Sequence, residues 1–490
     1  MVSVSTVDVR RKQSSALVVP VLAFAGIVVA LMQTLIVPVV PRLPALVNAS
    51  ASDTAWAVTA TLLASAVAVP ITGRLGDMYG KKKLLLVSLA LLVAGSVIAA
   101  LSSTLAPLVV GRAFQGLSAG VIPLGISVMR DVLPAGRLAG AVAMMSASIG
   151  IGSAFGLPVA ALIADHADWH VLFWTSAVLG VFVALLVVVL VPESSIRTGG
   201  SFDFAGAISL SFALVAFLLS ISKGGDWGWG SAETIGLLLT ALAAAVVWVF
   251  WGTRASRPLV DIRLAGHRQV LLTNLASIAF GFALFVMALV FPQIIQLPEY
   301  TGYGLGQSML VAGLAIAPCG AVMMMVAPLS SRITSNRGPK LTLIIGALLV
   351  GVGYGIGVAF MHSVEQMVVI AMVIGAGTGL GYGAIPTLIM SAVPPSETGA
   401  ANSFNTLMRS LGTSVASAVA GAVLARMATS YGSTVVPTEV AFQVLMVGGA
   451  ASAVVALIFA AFLPRARIGK GPETRFEPTR GVGATFSALS

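Results

Sequence analysis

Fourteen runs of roughly twenty apolar residues divide this chain, and no other feature limits its fold as tightly. They lie near residues 16–40, 54–73, 84–104, 106–129, 138–164, 170–192, 203–222, 233–251, 270–297, 307–329, 341–361, 366–390, 400–426 and 440–463. A bilayer core about 30 Å thick needs about 20 helical residues per crossing, and backbone inside lipid must satisfy its own hydrogen bonds. The chain therefore reads as an all-α polytopic membrane protein with 14 transmembrane helices. The alternating segments of a membrane barrel are missing. Only 9% of the 490 residues are charged and mean hydropathy is +1.02. Soluble domains carry about 25% charged residues, so a soluble enzyme, a nucleic-acid binder and a disordered chain are excluded. Arg10, Arg11 and Lys12 imitate the start of a signal peptide. The run behind them is too long and lacks a small-residue cleavage site, so it reads as the first helix.

The net charge of +10 belongs to topology. With fourteen crossings both ends share a side, and 22 of the 27 Lys and Arg fall there. Arg42, Lys223 and Arg426 fall opposite, while Arg112 and Arg409 lie inside spans. This bias predicts cytoplasmic termini and a place in the cytoplasmic (inner or plasma) membrane. The single cysteine, Cys319, allows no intrachain disulfide, and the four histidines have no metal-ligand spacing, so no cofactor or metal is expected. The glycine series at Gly351–Gly357 and Gly377–Gly383 sit inside apolar spans. They read as small-residue helix packing rather than as phosphate loops, so ATP is not expected as a partner.

The chain also repeats itself. The loop after span 2, from Gly73 to Lys82, aligns with Ser331 to Lys340 after span 10 at an offset of 258. Gly116, Gly120 and Pro123 of span 4 align with Gly379, Gly383 and Pro386 of span 12 at an offset of 263. Spans 1–6 thus recur as spans 9–14 with the same sense in the membrane, a parallel repeat of the kind found in transporters. The expected organisation is an N-terminal segment 1–15, a six-helix bundle 16–192, a linker 193–202 and an inserted helix pair 203–252. A second linker 253–269, a six-helix bundle 270–463 and a tail 464–490 of disordered composition complete it.

These residues carry a family resemblance. Gly73-x-Leu75-x-Asp77-x-x-Gly80-Lys81-Lys82 resembles the signature loop of the major facilitator superfamily, and Arg112-Ala-Phe-Gln115-Gly116 its span-four motif. Ser148–Ala161 is similar to its glycine-rich antiporter motif. Fourteen spans, Arg257-Pro-Leu-Val-Asp261 and Asn405-x-x-x-Arg409-x-x-Gly412 resemble the 14-span drug/proton antiporter branch of multidrug efflux proteins. The resemblance implies a gating set of Gly73, Asp77, Gly80, Lys81 and Asp131, and a coupling set of Arg112, Gln115 and Gly116. Three departures stand out. Met78 replaces the usual Arg, the antiporter motif lacks its usual Gly-Pro and Gly-Gly pairs, and Met32 stands where the branch carries a span-one acid.

From the residues themselves, Asp77 suits a helix N-cap or an ion pair with Lys81, Arg74 or Arg130, in a loop that Gly73, Gly76 and Gly80 let turn tightly. A lone cation in a span costs about 2.5–3.5 kcal/mol to insert, which makes Arg112 and Arg409 functional candidates. Arg112 alternatively bonds backbone carbonyls of span 1. Gln33, Trp56, Phe285, Gln293, Asn405 and Arg409 are candidate lining of a substrate cavity, with Met144, Met145 and Met323–Met325 as deformable additions. The expected function is secondary active export of hydrophobic or amphipathic small molecules by alternating access, driven by protons. A lipid or amphiphile flippase and a transporter-like sensor without flux are the alternatives. A membrane enzyme would need clustered carboxylates or a Ser–His pair at depth, and the sequence has neither.

Overall fold

A computed structural model describes residues 3–36, 39, 42–194, 196–431 and 434–464. The tail expected over 464–490 lies, apart from residue 464, outside them.

Among the described residues, fourteen helices are long and apolar enough to cross a membrane. Span 1 is the Leu17–Thr34 part of a helix that begins at Ser3. Spans 2–6 are Trp56–Tyr79, Lys81–Ala100, Leu105–Val132, Ala135–His166 and His170–Leu190. Spans 7 and 8 are Phe204–Trp227 and Ala232–Gly252. Spans 9–14 are Arg268–Gln296, Met309–Arg337, Pro339–Ala359, Val364–Met390, Thr398–Arg426 and Glu439–Phe462. Two spans expected to be continuous are interrupted. Span 4 tightens into a 3-10 turn at Ser118–Gly120, where Gly120 lets span 4 close onto Thr72. Span 10 breaks at Val326, ahead of Pro328. Beyond span 13 the chain makes an antiparallel hairpin of β1 (Ala428–Tyr431) and β2 (Thr434–Pro437), which the hydropathy pattern did not foretell.

Two cores explain the two bundles. One gathers Leu22, Met32, Leu89, Leu124 and Leu172 from the first six spans. The other gathers Phe280, Phe291, Tyr354, Ile374 and Phe442, with residues from all of spans 9–14. The bundles meet along span 2 against span 13 and span 5 against span 10. On the second seam glycines let backbones touch. A Cβ on Gly320 would stand 2.4 Å from the Gly150 carbonyl oxygen, and one on Gly313 would meet Pro158.

Spans 7 and 8 pack on each other, and span 7 seats across the first seam. Leu210, Leu214 and Leu218 join Ala66 of span 2 and Leu407 of span 13 in one apolar cluster. Asp203 organises this insertion. Its carboxylate accepts from Gly206 N (2.8 Å), Trp251 Nε1 (2.9 Å) and Leu259 N (3.0 Å). One side chain thus caps span 7 and fastens span 8 and the second linker to it.

Candidate functional site

Span 2 does not end where its apolar run ends. The helix continues to Tyr79 and breaks at Gly80, whose φ of +120° suits glycine alone. Asp77 therefore stands in the last helical turn and not in a loop, which corrects the expectation of a turn built by three glycines. Gly73 and Gly76 stay helical and serve close approach instead. A Cβ on Gly73 would lie 2.2 Å from Ser403 Oγ and 2.6 Å from the Gly399 carbonyl oxygen. One on Gly76 would lie 2.4 Å from Leu124 Cδ2.

That approach delivers Asp77 to the other bundle. Its carboxylate accepts from Gly399 N (3.1 Å) and Ala400 N (2.8 Å) in the first turn of span 13. The first amides of a helix lack partners within it and carry positive partial charge. Asp77 is thus a helix cap supplied from the opposite half of the molecule. Lys81 Nζ lies 2.7 Å from Asp131 Oδ2 and 3.6 Å from Asp77 Oδ1, and donates to Thr398 Oγ1 at 3.3 Å. Asp77 and Lys81 are fully buried. Buried charges are tolerated only when paired and hydrogen-bonded, and each of these three is. Arg130 Nη2 donates to the Val393 carbonyl across the same seam at 3.2 Å. The first linker is strapped over the cluster, with Ser194 Oγ donating to Asp131 (2.5 Å) and Thr198 N to the Asp77 carbonyl (2.8 Å). The structure therefore gathers Gly73, Asp77, Gly80, Lys81 and Asp131 at one place. Sequence reasoning missed Thr398, Gly399, Ala400, Ser194 and Thr198. The helix start after Pro394 was the one signal for the first three.

Arg112 is wholly buried and its donors are used locally. Nε donates to the Ala57 carbonyl (3.0 Å), and Nη1 to the Met32 carbonyl (3.3 Å) and Gln115 Oε1 (2.7 Å). Gln115 passes the chain on to Ser96 Oγ at 2.8 Å. Gly116 lies so close to span 2 that a Cβ there would be 2.4 Å from the Thr61 carbonyl oxygen. Arg112 thus staples spans 1, 2 and 4 together through backbone carbonyls, the alternative the sequence left open.

The six residues considered as cavity lining do not form one group. Asn405 is buried, and its amide donates to Asn274 Oδ1 (2.8 Å) and Ser277 Oγ (2.7 Å), fastening span 13 to span 9. Trp56 turns toward the inserted pair, with Lys223 Nζ 5.7 Å from its ring centroid. Phe285 packs against the second core, Gln293 is half-buried on the same helix, and Gln33 is exposed beside the buried Met32. Arg409 is half-buried, with its guanidinium carbon 4.9 Å from the ring centroid of Tyr382. Of the methionines, Met144, Met324 and Met325 are exposed, while Met145 and Met323 fill gaps beside Gly26 and Gly150. Outside the bundles, Ile71, Leu75 and Tyr79 of span 2 and Ala207, Ile208 and Phe212 of span 7 line an apolar groove of about 630 Å³.

Comparison with known proteins bears on this geometry. The family model described as "Major Facilitator Superfamily" matches residues 22–417 and 297–489. A Mycobacterium tuberculosis protein named multidrug resistance protein Stp is 26% identical over 373 residues, 76% of this chain and 68% of that protein. The tetracenomycin C resistance and export protein of Streptomyces glaucescens is 27% identical over 408 residues, 82% of this chain and 74% of that protein. Against a 27% identical M. tuberculosis transporter named as uncharacterised, the chain spans only 58% of the relative's length. Among solved structures, the human organic anion transporter MFSD10 superposes with a TM-score of 0.65 at 14% identity, over 91% of this chain and 99% of that one. This last likeness speaks to fold alone.

Proposed function

The chain belongs to the major facilitator superfamily, and from that premise we propose that it is a secondary active exporter of hydrophobic or amphipathic small molecules. The observation that carries the reading is the cross-bundle cap, in which Asp77 of the first bundle holds the amides of Gly399 and Ala400 in the second. A transporter that rocks two bundles must close each end reversibly. A bidentate carboxylate on a helix terminus closes this end without fusing the two cores. The resistance and export named in its relatives support the same direction of travel. The lysine and arginine bias puts the latched end, and both termini, in the cytoplasm. Energy comes from the proton gradient.

The test is flux of a fluorescent amphiphile in proteoliposomes with and without an imposed pH gradient. Gradient-dependent transport supports the reading; no transport under either condition contradicts it, and so favours a sensor without flux. A cysteine placed at Ser487, outside the described residues, in a Cys319→Ala background should resist impermeant thiol reagents in intact cells. Ready labelling would reverse the orientation. The apolar groove between spans 2 and 7 favours one second reading, a lipid flippase, because Leu75 and Tyr79 line it on either side of Asp77 in the chain. Scrambling of labelled phospholipid in the same vesicles separates the two.

A further inference from the structure

We propose that the half-buried Arg409 guanidinium beside Tyr382 recognises the oxyanion head of an anionic amphiphile, so that substrates bearing a carboxylate or phosphate are preferred over their neutral and cationic counterparts. This rests on the exporter reading and deepens it by naming the substrate class.

The argument begins with depth. Arg409 lies eleven residues into span 13, about 16 Å along its axis, near the middle of a 29-residue helix. A guanidinium left toward lipid at that depth costs about 2.5–3.5 kcal/mol on insertion scales, so a half-buried one must look elsewhere. The packing of span 13 says where. Asn405 and Gly412 face span 9, through Asn274 and the Ile278 carbonyl. Phe404, Leu407, Met408 and Leu411 face the inserted pair. Ser403 faces Gly73 of span 2. Arg409 shares the face of Asn405 and Gly412: its side-chain stem passes Gly281 of span 9, and its guanidinium carbon reaches 4.9 Å from the ring centroid of Tyr382 of span 12.

Next comes its lack of engagement. Among the described residues the Arg409 guanidinium has the Tyr382 ring and no hydrogen-bond or ion-pair partner, although it carries five donors. Arg112, inside a span of the other half, donates three hydrogen bonds, to two carbonyls and an amide. Every acid whose side chain the structure describes sits in a connection or within three residues of a span end. No carboxylate therefore shares the depth of Arg409 to neutralise it. The Tyr382 ring, 4.9 Å from the guanidinium carbon, uses none of the five N–H donors, and a guanidinium with free donors suits bidentate capture of a planar or tetrahedral oxyanion. A cation moved there would lose water and meet like charge, without a buried carboxylate to offset either.

The experiment uses the purified full-length protein with 11-(dansylamino)undecanoate, its methyl ester and the corresponding trimethylammonium compound, with tryptophan-to-dansyl energy transfer as the readout. The unmodified protein should bind the acid at least ~10-fold more tightly than the ester, and the cation most weakly, from one charge-assisted contact. Arg409→Gln should erase the preference by weakening the acid while leaving the ester alone, and Arg409→Lys should keep part of it. Should Arg409→Gln not accumulate, the unmodified protein still decides the matter, because its preference must vanish when the pH falls below the probe's carboxylate pKa. Displacement of the acid by phosphatidylglycerol but not phosphatidylcholine would identify a membrane lipid as one natural source of the head, and resistance to both would identify a free amphiphile. Equal binding of acid and ester, or an equal loss of both in Arg409→Gln, would overturn the proposal. Flux is read separately: absent transport with a retained acid preference contradicts the exporter reading and not this one.

Discussion

The end of span 2 and the end of span 10 are repeat mates, and they treat the same meeting of helices differently. In the first, Gly73 lies against Ser403 and Gly399 of span 13. In the second, the offsets of 258 and 263 pair Ser331 with Gly140 and Gly136 of span 5, and Ser331 Oγ lies 3.3 Å from where a Gly140 Cβ would be. Serine and glycine have changed places across the pseudo-repeat. Gly80 and Gly338 both take positive φ, +120° and +88°, so the helix breaks match. The charge does not. Asp77 corresponds to Ser335, which is exposed, and Lys81 corresponds to Pro339. A Cβ on Gly399 would strike Asp77 Oδ1 at 2.6 Å, whereas one on its mate Gly136 would meet nothing within 4 Å. Close approach therefore belongs to the architecture of both seams, and the ionic latch belongs to one. Under the proposed rocking of rigid bundles, one latch would be enough to hold both seams shut at this end.

Perturbations that separate charge from fit test this contrast. Asp77→Asn should have the largest effect. Hydrogen bonds to a charged group contribute about 1.5–3 kcal/mol, so the closed state should lose roughly tenfold to a hundredfold in population. Reactivity of introduced cysteines at this end should rise with expression near normal; unchanged reactivity would remove the latch role. Gly73→Ala should follow, because its methyl would stand 2.6 Å from a backbone oxygen that cannot swing away. Overpacking of this kind costs about 1–3 kcal/mol, read as slower transport and a looser seam by the same labelling. Ser335→Asp would give the second seam an acid near the start of span 5. A helix-terminus charge is worth about 0.3–1 kcal/mol, so it should partly restore closure in an Asp77→Asn background, and no restoration would show that position as well as charge is required. Gly140→Ala should matter least, within about 0.5 kcal/mol, because its neighbour is the rotatable end of Ser331.

The fourteen spans were legible because length and hydropathy are local properties, and the repeat was legible because glycines and basic residues recur at fixed offsets. An Asp77–Lys81 pair was legible from the residues, and Asp131 joined it only through resemblance. The cluster's partners did not come at all, since Gly399 lies 322 residues away and contributes an amide that every residue possesses. The end of span 2 was misplaced for a related reason. Hydropathy falls at Arg74, yet the helix runs on to Tyr79 with Arg74 and Asp77 buried, Asp77 being met there by span 13 and the first linker. Arg112 and Arg409 looked alike as buried cations, and only packing separates a stapling arginine from an unengaged one. The seat of the inserted pair on the span 2–span 13 seam was equally invisible, because its contacts join residues far apart in the chain.

The most direct test of the latch measures both seams at once. Spin labels at Tyr79 and Pro395 report the first seam, and labels at Asn336 and Arg137 the second, all four sites being exposed. Distances are then recorded by pulsed electron resonance in the Cys319→Ala background, with and without Asp77→Asn. One latch holding two seams predicts that Asp77→Asn shifts both label pairs to longer distances, while Ser331→Ala shifts neither. Unchanged distances in a folded Asp77→Asn protein, or widening of the first pair alone, would contradict it.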